Sequence, residues 1–285
     1  MKFYLPDWAR SLLLVAIFFA GSMVGAAFTL AGINSTSLVY AVSMAFPLAW
    51  AWIASRRNQR LGLGYVPLNE PRTGNFKSIV PVVLLVFIVT PFLGVLLEPL
   101  SNLFPMSELM EEAFKKMFDT SRPVDMVLST VILAPLCEEL LCRGIICRGL
   151  LSNSKPWFAI VFSAFIFALL HGNLQQGLVA LGLGIFMGWI YYRTHSLWCT
   201  IAIHFANNAL SMVMTFIFPD LPVTATYANI LPRSWYIALL AASVVVAVAV
   251  IYIIYKNYKN DESIISFKVR PAASGEALGR ECPEE

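Results

Sequence analysis

A polytopic helical membrane protein is the fold class this sequence predicts, and three observations predict it. Hydrophobic residues make up 58% of the 285 positions and charged residues only 13%, against about a quarter charged in a soluble domain. The mean hydropathy is +0.71. The apolar residues gather into long stretches, with most of the charges between them. A water-facing fold cannot hide that much apolar surface. A soluble enzyme, a disordered chain and a nucleic-acid binder are therefore excluded. The net charge is only +3, and the five cysteines show neither a disulfide framework nor a zinc-finger spacing.

A spanning helix needs roughly 20 mostly apolar residues. Eight stretches qualify, at about 11–32, 36–55, 77–97, 127–150, 157–171, 176–194, 197–218 and 235–255. The fifth is short, and so is expected to be tilted, half-buried among its neighbours or broken at Gly172. Loop Lys and Arg orient the bundle. Lys2 and Arg10 precede the first span; Arg56, Arg57, Arg60, Arg72 and Lys77 follow the second. Arg148 and Lys155 follow the fourth, Arg193 the sixth, and Lys256 and Lys259 the eighth. With eight spans all of these lie on one side, so both termini are expected to be cytoplasmic. The opposite loops carry mainly acid, including Glu98, Glu108, Glu111, Glu112, Asp119 and Asp125; Arg233 and Lys115–Lys116 are the exceptions.

Two segments lie outside the spans. Between the third and fourth, Met110, Phe114, Met117 and Phe118 recur at helical spacing among acids and lysines. This reads as an amphipathic helix on the outer surface, a linker or a substrate lid. A transmembrane domain over 1–260 then gives way to a polar tail over 261–285 that is expected to be mobile. Its ending, Cys282-Pro283-Glu284-Glu285, lacks the aliphatic residues of a prenylation signal.

Polar residues at membrane depth are costly, at about 2.5–3.5 kcal/mol for a charge on insertion scales, so those present carry the information. The fourth span holds Glu138, Glu139 and Arg143, the fifth ends in Phe167 and His171, and the seventh holds His204 and Asn208. Glu139 and Arg143, four apart, share a helix face and form a natural ion pair. Glu138 is rotated by about 100° and has no basic partner in its own helix. His204 and Asn208 share a face. Counted from the cytoplasmic ends, His204 lies roughly 10 Å deep, Glu138 roughly 18 Å and His171 roughly 21 Å, so one mid-membrane site can hold all three. Pro135, one turn before Glu138, is expected to kink or open the helix.

EExxxR at Glu138–Arg143, FxxxH at Phe167–His171 and HxxxN at His204–Asn208 resemble the three motifs of the CAAX-protease and bacteriocin-processing (Abi) family of intramembrane proteases. The resemblance covers about 127–215, the expected catalytic core. Cys137 and Cys142 stand where that family usually has aromatic residues. It implies an intramembrane endopeptidase in which Glu138 is the base, His171 positions the water, and His204 and Asn208 bind the oxyanion. Glu139 and Arg143 complete the polar set. It also implies either a zinc ion held by Glu138, His171 and His204 or a metal-free glutamate mechanism. The implied partners are the lipid bilayer and a hydrophobic, lipidated or membrane-anchored peptide, the implied location a cell membrane. The alternative is a non-catalytic immunity, scaffold or sensor-regulating protein of the same fold.

Overall fold

The computed structural model describes residues 1–104, 107–117, 120–222, 225–258 and 267–272. Among them there is no strand, only an isolated antiparallel bridge between Tyr65 and Arg270. Ten helices follow in order: α1 (Trp8–Leu30), α2 (Thr36–Arg60), α3 (Val80–Ser101) and α4 (Glu108–Met117); α5, which is continuous over 123–153; and α6 (Pro156–Leu170), α7 (Leu174–Thr194), α8 (Leu197–Ile217), α9 (Tyr227–Ile230) and α10 (Arg233–Asn257). Six of these, α1, α2, α3, α7, α8 and α10, are long and apolar enough to cross a membrane. With α5 and α6 they account for all eight predicted stretches. The protein is a multi-pass integral membrane protein.

Helices α5 and α6, outside that set of six, both carry polar residues of the motifs. The short α6 has 15 residues, or about 22 Å of rise, less than the roughly 30 Å hydrocarbon core. It stops at Leu170, and Gly172 turns the chain at φ +68 into α7, as the sequence suggested. Helix α5 alternates register, with π-helical turns over Val127–Leu133 and Leu140–Cys147 flanking an α-helical turn over Ala134–Glu139. Pro135 has no N–H to donate, and the wider turns upstream absorb the missing bond. Of the two expected effects of Pro135, a kink or an opening, a local widening is the one observed.

The loops sort to two ends as the charge pattern requires. At the basic end, Arg148 is fully buried and donates to the carbonyls of Met1, Lys2, Tyr4, Val66 and Gly144. Glu70 N–H donates to the His195 carbonyl, and Asn257 donates to the Thr73 carbonyl. The N-terminal segment, the 61–79 loop, the α7–α8 turn and the end of α10 therefore meet on one side. At the acidic end, Glu98 accepts from the N–H groups of Tyr227 and Ala228, and Asp125 from those of Thr36 and Ser37.

The two segments outside the spans differ in outcome. The α4 helix forms over the amphipathic segment; Phe118 and the side chain of Met117 lie outside the described residues. Within the tail, Phe267 is buried and stacks on His195 with ring centres 4.0 Å apart, beside Tyr191. Residues 267–272 are thus pinned to the bundle. They hold because this stretch carries the apolar Phe267 and Val269. Residues 259–266 and 273–285, Cys282 included, lie outside the described residues.

Candidate active site

The α-helical turn of α5 sets Glu138 and Glu139 side by side at membrane depth, and their neighbours separate them. Glu139 is completely buried. Its Oε1 accepts from Arg143 Nη1 at 2.7 Å and from His204 Nδ1 at 3.1 Å. Arg143, equally buried, also donates from Nη2 to the Gly184 carbonyl at 3.0 Å, and its guanidinium lies 4.5 Å from the Phe167 ring centre. Gly184 permits this approach. A Cβ there would stand 3.0 Å from Ala164 Cβ and 3.3 Å from Arg143 Nη2, so a side chain would push α7 off both α6 and the arginine.

Glu138 faces away from that pair, as a rotation of one residue requires. Its Oε1 accepts a hydrogen bond from the Tyr40 hydroxyl of α2 at 2.9 Å. Its Oε2 is buried without a hydrogen-bond partner and lies 4.0 Å from His204 Nε2. His204 therefore bridges the two glutamates, one ring nitrogen toward each.

The hydrogen bonds place a proton on Nδ1 of each imidazole. An ionised carboxylate only accepts, so His204 carries a proton on Nδ1 toward Glu139 and turns Nε2 toward Glu138. The His171 Nδ1 lies 2.8 Å from the Phe167 carbonyl; a carbonyl also only accepts, so His171 carries a proton on Nδ1. Phe167 meets both imidazoles edge-on, with ring centres 4.9 Å from His171 and 5.4 Å from His204. Asn208 donates one N–H to the Thr130 carbonyl at 2.9 Å and accepts from Asn207, tying α8 to α5.

The six residues singled out in the sequence thus fall into one neighbourhood, arranged differently from what the motifs imply. The imidazole nearest Glu138 is His204, while His171 packs against Phe167. Asn208 has one N–H committed to the protein. Glu138 and His204 have the donor chemistry of metal ligands. Yet among the described residues no three His, Cys, Asp or Glu side chains converge closely enough to hold a metal ion. The expected ligand set of Glu138, His171 and His204 is not assembled, and no step below passes through a metal. Sequence reasoning missed Tyr40, whose only signal is a tyrosine hydroxyl placed where a buried one needs a partner.

Residues 120–210 match the family model described as "Type II CAAX prenyl endopeptidase Rce1-like". A curated relative, "Putative membrane peptidase YdiL" of Bacillus subtilis (strain 168), is 29% identical over 89 residues. That alignment covers 31% of this chain and 36% of the relative, so the chain matches about a third of that protein's length. No solved structure matches.

Proposed function

We propose, from the motifs and from the match of residues 120–210 to the Rce1-like CAAX prenyl endopeptidase family model, that the chain is an intramembrane endopeptidase of the CAAX-protease and bacteriocin-processing family in which Glu138 and His204 activate the attacking water. One observation carries this reading. Glu138 Oε2, which has no hydrogen-bond partner among the described residues, and His204 Nε2 face each other across 4.0 Å in a buried site. With His204 as the neutral Nδ1–H tautomer both atoms are acceptors, and one water that donates to both satisfies them. Hydrogen bonds of about 2.8 Å would meet at its oxygen at roughly a right angle. Both lone pairs on that oxygen remain, and one is free to attack a substrate carbonyl carbon.

Hydrolysis follows from these groups. The water oxygen bonds to the peptide carbonyl carbon while Glu138 takes a proton from it. Collapse of the tetrahedral intermediate breaks the C–N bond, and Glu138 returns the proton to the leaving amine. Glu139 holds His204 in the tautomer this requires, and Arg143 neutralises Glu139. The second N–H of Asn208 Nδ2 is the donor we assign to the oxyanion. The substrate class is a hydrophobic, lipidated or membrane-anchored peptide entering from the bilayer. In support, Leu128, Ile132 and Leu136 line one exposed edge of α5, so the helix bearing Glu138 has a face open to lipid.

The test uses the full chain in detergent and a fluorescence-quenched peptide ending in a prenylated CAAX motif. Glu138→Gln and His204→Ala are expected to lower turnover by roughly 10²- to 10⁴-fold, the usual contribution of general acid–base groups. Turnover by Glu138→Gln equal to the parent's overturns the reading. Metal content measured alongside decides the other branch. Activity lost to a chelator and restored by zinc would replace the glutamate–histidine water with a metal-bound one.

A further inference from the structure

We infer that Tyr40 is a positioning residue for Glu138, holding one carboxylate oxygen so that the other faces His204. The inference rests on the reading of Glu138 as the base. Its ground is the hydrogen bond from the Tyr40 hydroxyl to Glu138 Oε1, 2.9 Å long and spanning 98 residues of sequence. The opposite oxygen has no hydrogen-bond partner within the described protein, so this is the bond that sets the carboxylate plane. A glutamate's terminal torsion is broad and roughly two-fold. Fixing Oε1 from α2 removes that freedom and aims Oε2 at His204 Nε2. Tyr40 also lies outside residues 120–210, the segment that matches the family model, so the fold supplies this support from beyond the matched core. The neighbouring polar groups do not take its place. Glu139 Oε1 is engaged by Arg143 and His204, and His171 Nδ1 by the Phe167 carbonyl.

Tyr40→Phe removes the hydroxyl and keeps the ring, so packing between α2 and α5 is retained. On the prenylated peptide, kcat is expected to fall about 10- to 100-fold with KM unchanged within about twofold, because a misaimed base weakens the chemical step and not the binding. A second readout needs no substrate: the infrared carboxyl band of Glu138, isolated as the difference between parent and Glu138→Gln, is expected to move in Tyr40→Phe. A band that stays in place, or a KM that rises while kcat holds, overturns the inference. A moved band in a parent that cleaves nothing keeps the tyrosine–glutamate tie and sinks the protease reading instead. If Tyr40→Phe does not accumulate, Tyr40→Gln, which keeps a donor, set against Tyr40→Leu makes the same comparison.

Discussion

Glu138 and Glu139 are adjacent in sequence and opposite in circumstance. Glu139 is paired with Arg143 in a site closed to solvent. Removing the arginine takes the counter-charge from a buried carboxylate and leaves the Gly184 carbonyl without its donor, which destabilises by about 3–5 kcal/mol. Glu138 makes one hydrogen bond, from a hydroxyl, and Gln in its place still accepts it. Arg143→Ala is therefore expected to lose both folded protein and activity, and Glu138→Gln to lose activity alone. Thermal melting in detergent beside the peptide assay measures both, and equal melting temperatures for the two variants would reverse the assignment. At this scale the sequence was informative where contacts are local. The four-residue spacing of Glu139 and Arg143 announces their pairing, and the motif spacings select His171, His204 and Asn208. Tyr40 was not legible because its contact crosses 98 residues. Nor was the choice of His204 over His171 as the neighbour of Glu138: it follows from how α6 and α8 pack, which no spacing encodes.

Elements show a similar division. The existence of the spanning helices follows from apolar length, and the breadth of α5 from its continuous run, but its π-helical turns do not, since Pro135 alone is compatible with a kink. The start of α2 is another case. Ser35 supplies a local cap by accepting from Leu38 N–H at 3.3 Å, while Asp125 reaches across from α5 to the Thr36 N–H at 2.7 Å and the Ser37 N–H at 3.1 Å. A carboxylate at a helix N-terminus also opposes the helix dipole favourably. Partial burial pushes the Asp125 carboxyl up, but the hydrogen bonds from Ser37, Thr36 and Ser35 outweigh it and hold the group at about 2, below its ordinary 3.8. The folded state thus binds this proton more weakly than the unfolded one. The stabilisation is complete above about pH 4 and is lost as the pH falls toward 2. Asp125→Asn is expected to melt earlier than the parent at neutral pH and to converge on it near pH 2. Melting curves from pH 7 to 2 test this, and a gap that persists at pH 2 would place the effect in packing.

For the whole molecule, the even number of crossings is established twice, by the alternation of basic and acidic loops and by the hydrogen bonds that gather both described ends of the chain at the basic side. The pattern of Lys and Arg was enough to read that. The closure of the basic face was not, because Arg148 is held by backbone carbonyls, acceptors that every sequence offers. The last piece of that closure is 267–272, tied down by the Tyr65–Arg270 backbone bridge and by two side-chain contacts. Arg270 pairs with Glu70 at 2.6 Å, and this arginine holds the Glu70 carboxyl below its ordinary value. The pair is 45% and 43% exposed, however, and exposed pairs contribute at most about 1 kcal/mol. Phe267 is buried among Tyr191, Val66 and Leu197, and large aromatic-to-alanine changes in packed sites cost about 3–5 kcal/mol. Gly64 allows the close seating, since a Cβ there would collide with Val269 and the Arg270 carbonyl. The apolar anchor should therefore outweigh the ion pair. Trypsin cutting at Lys268–Val269, located by mass spectrometry, is expected to be much faster in Phe267→Ala than in the parent and little changed in Glu70→Gln. Equal release by the two variants would mean that the buried ring is not the dominant anchor of the segment on the bundle.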